Sequence, residues 1–173
     1  GAARISFCVA LKNRAGNFMQ MLQSWNQLAL NGMELIIADF GSDDLDLDAA
    51  IRDAATSPKI IKLDEPFNRA KGLNAAARAA SGDTLFFLDA DIVLPPDFCG
   101  RIERQVRIGQ AYFPICYSLR EHSTCRESEP GWWRAEGFGI CGFHTHDFLR
   151  LGLWNDSFLG WGGEDRELYS RAR

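Results

Sequence analysis

No stretch of this 173-residue chain is apolar for anything near the ~20 residues that a membrane-crossing helix needs. Wholly apolar runs such as Leu85-Phe86-Phe87-Leu88 are far shorter, so no membrane span is expected. No CxxC pair occurs among the five cysteines (Cys8, Cys99, Cys116, Cys125, Cys141), and an odd, scattered set fits buried or free thiols better than a disulfide framework or a zinc site. Cys116 and Cys125 can pair only if the chain matures in an oxidising compartment. Basic residues are not in excess: 19 Lys+Arg against 23 Asp+Glu leave a net charge of −4, which argues against a nucleic-acid partner. A local basic pocket for a small phosphorylated ligand is still compatible with that balance. No signal or transit sequence stands at the N-terminus, so the compartment stays open. What remains is 46% apolar and 24% charged, in a length suited to one domain over residues 1–173.

Two hydrophobic periods alternate through the first half. Residues 4–11, 34–39, 59–63 and 84–88 are short runs that read as strands, the first a buried one rich in β-branched and aromatic side chains and the last apolar on both faces. Between the first two, Phe18, Met21, Leu22, Trp25 and Leu28 recur at helical spacing. Asp46 reads as the N-cap of a short helix carrying Ala49, Ile51 and Ala54. Residues 69–80 are Ala-rich and helical, ended by Ser81-Gly82-Asp83. Pro95-Pro96 then opens a helix with Phe98, Ile102 and Val106 on one face, since proline is favoured at the first helical position. This order predicts an α/β fold: a mostly parallel sheet with helices on both faces. Residues 118–131 are polar and aperiodic and read as a mobile loop. A glycine-rich strand near 138–143, a short helix over 146–151 and a last helix after Gly163 complete the chain.

Three constellations carry chemistry. Side chains two apart on a strand point to one side, so Asp89 and Asp91 leave the sheet's carboxyl end together if the strand extends through them. Converging carboxylates repel unless a cation sits beside them. Hard oxygen donors suit Mg2+ or Mn2+, which can bridge to a diphosphate; the plainer alternative is a polar strand-to-helix turn. Next, Gly160-Trp161-Gly162-Gly163-Glu164-Asp165 surrounds an indole with glycines that are costly to order. That suits a hinge and an apolar platform for a sugar ring. Glu164 and Asp165 then either stabilise a helix N-terminus by about 0.3–1 kcal/mol, or one of them is a general base. Finally, Phe67-Asn68-Arg69-Ala70-Lys71 and Lys12-Asn13-Arg14 each read alone as an exposed basic segment. On one shared rim they suit a nucleotide-diphosphate sugar with a carbohydrate acceptor.

The segments Phe67-Asn68-Arg69-Ala70-Lys71-Gly72-Leu73-Asn74, Asp89-Ala90-Asp91 and Gly160 to Asp165 occur in the order seen in beta-1,4-galactosyltransferases and chondroitin N-acetylgalactosaminyltransferases. Over nearly its whole length the chain resembles these inverting GT-A-fold glycosyltransferases. Asp39-Phe40-Gly41-Ser42-Asp43-Asp44 is similar to the Asp-rich turn after the second strand of inverting GT-A enzymes more widely. The resemblance implies that Phe67 and Arg69 contact the nucleotide of a UDP-sugar, with Arg14, Asp39 and Lys71 in the same binding set. Lys12 stands where the galactosyltransferases carry an arginine, keeping the charge but losing bidentate phosphate geometry. It further implies that Asp89 approaches the ribose or sugar and borders the metal, and that Asp91 ligates Mn2+ (or Mg2+). Trp161, Gly162 and Gly163 line the acceptor junction, Asp165 is the catalytic base, and Glu164 helps to hold the acceptor. In the family a histidine beyond the Gly-Glu-Asp motif completes the metal site. This chain stops eight residues after Asp165, so a truncated core with weakened metal affinity is expected. His144 and His146 precede the motif and read as helix-start residues.

The expected activity is inverting, metal-dependent transfer of a hexose or N-acetylhexosamine from a UDP-sugar to a saccharide or glycoconjugate hydroxyl. One alternative is a catalytically weakened UDP-sugar or carbohydrate-binding domain of the same fold. The other, a sugar nucleotidyltransferase, is disfavoured because no Gly-rich phosphate loop follows the first strand. The setting is lumenal if the source is eukaryotic and cytoplasmic if bacterial.

Overall fold

A computed structural model describes residues 4–28, 31–119, 131–159 and 162–173. The chain runs β1 (Ile5–Leu11), α1 (Ala15–Asn26), β2 (Met33–Asp39), α2 (Leu47–Ala50), β3 (Lys59–Lys62), α3 (Arg69–Ala79), β4 (Thr84–Asp89), α4 (Phe98–Gln105), β5 (Cys116–Leu119), β6 (Gly131–Arg134), β7 (Cys141–His144), α5 (Thr145–Leu151) and α6 (Glu164–Ala172). The main sheet has the order β3-β2-β1-β4-β7. Its first four members are parallel, and β7 joins β4 antiparallel. β5 and β6 form a separate antiparallel ribbon.

β1 is central and wholly buried, which explains its unbroken apolar run. Its alternate side chains serve two cores. Ile5, Phe7, Val9 and Leu11 meet Phe18, Met21 and Trp25 of α1 and Phe98 and Ile102 of α4 on one face. Cys8 and Ala10, with Leu85 and Phe87 of β4, meet Leu73 and Ala76 of α3, Phe148 of α5 and Leu168 of α6 on the other. Each such aliphatic or aromatic side chain stabilises the fold by about 1.5–3 kcal/mol. The expected mostly parallel sheet with helices on both faces is therefore present.

Local boundaries differ from expectation in instructive ways. Asp46 does cap α2 by accepting from the Ala49 amide at 3.0 Å, but the helix ends at Ala50. α4 begins two residues after Pro96, because the prolines make a turn in which the Phe98 amide donates to the Pro95 carbonyl. Ser118 and Leu119 belong to β5 and Gly131 to β6, so the ends of the expected loop are strand; residues 120–130 lie outside the described residues. Cys8, Cys99, Cys116 and Cys141 are free thiols, and Cys125 is outside the described residues. Among the described residues no helix is long and apolar enough to cross a membrane.

The chain steps outward from β1 to β2 to β3, then returns through α3 to β4 on the other side of β1. The strand order reverses between β1 and β4, and ligands of open α/β sheets bind outside the carboxyl ends at such a point. Lys12 to Arg14 and Asp89 to Asp91 emerge there.

Candidate active site

The turn after β1 is strained and then held. Asn13 and Arg14 both take left-handed conformations, with φ of 59° and 62°, a cost of roughly 1–3 kcal/mol each for residues with a side chain. Cross-links to the turn after β2 offset it. The Asn13 amide donates to Ser42 Oγ at 2.7 Å, the Asp43 amide to Asn13 Oδ1 at 3.0 Å, and the Ala15 amide to Asp44 Oδ2 at 2.9 Å. Asp39 is buried and accepts from the Ser42 amide and hydroxyl, while Lys12 Nζ donates to the Gly41 carbonyl at 2.6 Å. This double turn delivers Arg14 to Asp91, with Nη1 3.2 Å from Oδ2.

β4 stops at Asp89, and a turn closed by the Ile92 amide on the Asp89 carbonyl carries Asp91 off the strand line. The two carboxylates thus do not leave along one strand face. They remain close enough that Asp91's carboxyl is raised above its ordinary value, first by burial and then by the charge of Asp89, against the pull of Arg14.

α3 supplies the link to the rest of the site. Asn68 caps it by accepting from the Lys71 amide, and its Nδ2 donates to the carbonyls of Asp156 and Phe158 at 3.1 and 3.3 Å. Arg69 follows. Its Nε donates to Asp89 Oδ1 at 2.6 Å, its Nη2 to the Gly139 carbonyl at 2.7 Å, and its Nη1 lies 3.9 Å from Glu164 Oε1. The guanidinium also stands 5.1 Å from the Trp154 ring centre. Burial lowers the pKa of the Arg69 guanidinium, but the charge and hydrogen bond of Asp89, with the charge of Glu164, outweigh it and raise it.

Gly162 and Gly163 precede α6 at φ of 86° and 105°, and a Cβ on Gly163 would stand 2.9 Å from the Phe158 ring, so the entry to α6 requires glycine. That entry buries Glu164 toward Arg69 and leaves Asp165 half-buried, its Oδ1 accepting from the Arg166 amide. Asp165 stays near the cluster: burial pushes the Cys141 thiol far up, Arg69 opposes this, and Asp89 and Asp165 add to it.

Arg14, Asp91, Asp89, Arg69 and Glu164 therefore form one chain of charges, with Asp165 beside it. Lys12, Asp39 and Phe67 occupy the adjoining rim, where Phe67 rests edge-on against Phe40 at 5.1 Å and keeps 47% of its surface exposed. Lys71 is exposed and pairs with Glu65 at 2.7 Å. Trp161 lies outside the described residues. Sequence reasoning gave no individual role to Asn74 or Trp154. Asn74 is buried in an alanine-lined helix and clamps the Trp154 backbone, donating to its carbonyl and accepting from its amide. A buried polar residue on that face was the available signal. His144 pairs with Thr84 at the amino end of β4, the sheet edge opposite Asp89, consistent with a helix-start role.

Among the described residues no group of three or more His, Cys, Asp or Glu could hold a metal ion. Asp89 and Asp91 fit a divalent cation as a pair of hard oxygen donors, their mutual repulsion being what a cation would relieve.

The family model described as chondroitin N-acetylgalactosaminyltransferase matches residues 1–172. The chain belongs to this family. Human chondroitin sulfate N-acetylgalactosaminyltransferase 2 is 29% identical over 194 residues, which cover 96% of this chain and 36% of that protein. Mouse N-acetyl-beta-glucosaminyl-glycoprotein 4-beta-N-acetylgalactosaminyltransferase 1 is 32% identical across 97% of this chain and 17% of its own length. The present chondroitin N-acetylgalactosaminyltransferase-family chain thus spans about a third or less of these relatives. A crystal structure of GalNAc-T7 with UDP, GalNAc and Mn2+ shares the fold at a TM-score of 0.72, with 15% identity over 99% of this chain and 41% of that one. The family and the GT-A-type fold implied by the three motifs are both borne out.

Proposed function

We propose that this chain is the catalytic core of an inverting glycosyltransferase that moves an N-acetylhexosamine or hexose of the GalNAc/Gal type from a UDP-sugar to a saccharide hydroxyl. The observation that carries the reading is Arg69 tied to Asp89 of the Asp-x-Asp turn and facing Glu164 of the Gly-Glu-Asp helix, at the sheet's switch point. In this reading the open ring of Phe67 stacks on the base. Lys12, Arg14, Asp39 and Lys71 border the nucleotide-sugar, and Arg69 aligns Asp89 beneath it. Asp89 and Asp91 hold a Mn2+ or Mg2+ ion, which when bound neutralises charge on the departing diphosphate. Asp165, more accessible than the buried Glu164, takes the proton of the acceptor hydroxyl as its oxygen attacks the anomeric carbon. The bond to UDP breaks on the opposite face, so the configuration inverts. Glu164 and the Trp161-Gly162-Gly163 segment orient the acceptor. A lumenal setting follows if the source is eukaryotic, as it is for the human and mouse relatives.

UDP release measured across several UDP-sugars, with and without Mn2+ and a chondroitin-type acceptor, tests the reading. Mn2+- and acceptor-dependent release is expected. Asp165→Asn should lower transfer by about 10²–10⁴-fold while UDP binding persists. Wild-type rates in that variant would reject the base assignment, and sugar-nucleotide binding without turnover in the parent chain would mark a binding domain instead.

A further inference from the structure

We infer that the β5–β6 ribbon is a platform for the acceptor chain, gripping sugars beyond the one that receives the new residue; this rests on the transferase reading above. Tyr117 pairs across the ribbon with Trp133, so both rings share one face, while Ser118 and Cys116 place Trp132 and Arg134 on the other. Trp133 is 71% exposed, Trp132 54% and Tyr117 42%. So much aromatic surface on a two-stranded ribbon, a form marginal by itself, points to a ligand.

The aromatic pair is fixed in place. The Tyr117 and Trp133 ring centres lie 5.0 Å apart in an edge-to-face arrangement. A Cβ on Gly131 would stand 2.8 Å from the Tyr117 ring and 2.3 Å from the Ser118 carbonyl oxygen, so only glycine lets the tyrosine lie across the ribbon there. The ribbon is also continuous with the site. Residues 135–139 lead from Arg134 to Gly139, whose carbonyl accepts from Arg69. Cys116 roots the first strand against the core.

The occupant is argued from chemistry. Indole and phenol rings present flat apolar faces that match the C–H face of a pyranose, so the Tyr117–Trp133 face fits a saccharide chain. A chondroitin chain, built of pyranose rings, supplies such faces.

The test uses the whole chain with a chondroitin disaccharide and longer chondroitin oligosaccharides as probes. Trp133→Ala should raise KM for the longer oligosaccharides by about tenfold and leave KM for the disaccharide, and kcat, unchanged. Trp133→Phe should recover most of the loss. Quenching of tryptophan emission by the longer oligosaccharides, without donor, reads the platform independently of turnover. UDP binding and transfer to the disaccharide read the catalytic assignment. Equal KM changes for short and long acceptors, no change at all, or recovery failing with phenylalanine would overturn the platform.

Discussion

Arg69 carries its charge where water scarcely reaches and satisfies it with a carboxylate, a carbonyl and an aromatic face. Among the described residues its Nη1 and Glu164 Oε2 have no hydrogen-bond partner, so the side of the cluster toward α6 is the less settled one. Removing the cation would leave Glu164 buried and unpaired. Arg69→Met should destabilise the chain by about 2–3 kcal/mol, short of the roughly 3–5 kcal/mol of a fully enclosed pair, because the Asp89 side chain keeps 44% exposure. Denaturant midpoints measure this. Arg69→Lys should not restore it, since one ammonium cannot meet Asp89, Gly139 and Glu164 at once. From sequence, Arg69 read as a nucleotide contact in a basic helix start; that it aligns Asp89 depends on partners remote in the chain.

At the scale of elements, the sheet is fastened at both ends. At the amino edge Glu34 of β2 accepts from Ser6 of β1 at 2.5 Å and from the Ser81 amide before β4, and pairs with Lys59 of β3 at 2.8 Å. Desolvation pushes its carboxyl up, but hydrogen bonds from Lys59, Ser6 and Ser81 outweigh this and hold it at about 2 against an ordinary 4.5. A depressed carboxyl binds more protons when unfolded, so its stabilisation is complete above pH 4.5 and is lost as pH falls toward 2. Glu34→Gln should lower stability at neutral pH by about 1–3 kcal/mol and flatten the pH dependence in that acid window, as thermal melts across pH would record. At the carboxyl edge Asn68 joins α3 to the segment before α6. Asn68→Asp keeps a capping oxygen but cannot donate to Asp156 and Phe158. It should still cost about 1 kcal/mol, whereas a cap-only role would leave the melting midpoint in place.

For the molecule as a whole, a net charge of −4 coexists with a rim where Lys12, Arg14 and Arg69 stand beside two carboxylates. The strand order β3-β2-β1-β4 brings these charges together, since the loops after β1 and β4 meet only where the winding reverses. In the proposed reaction a cation would reconcile Asp89, Asp91 and an incoming diphosphate. Chelation by EDTA should therefore suppress transfer by more than about tenfold, and added Mn2+ should restore it. Asp91→Asn should raise the Mn2+ concentration needed for half-maximal UDP release; activity indifferent to both treatments would remove the metal from the scheme.

The amino-acid sequence by itself determined the elements and the family. Unbroken apolar runs marked strands, helical spacing marked α1, Asp46 marked a helix start, and three motifs in order marked the chain's kin. These signals are local, set by side-chain period and by backbone preferences of single residues. Tertiary structure alone decided that Asp91 turns off the strand to meet Arg14, that Arg69 is enclosed between Asp89 and Glu164, and that β7 runs against β4. It also decided that the segment read as a loop begins and ends in an aromatic ribbon beside the site. Each of those outcomes rests on pairing between residues distant in the chain, and such pairing leaves no period in the sequence to read.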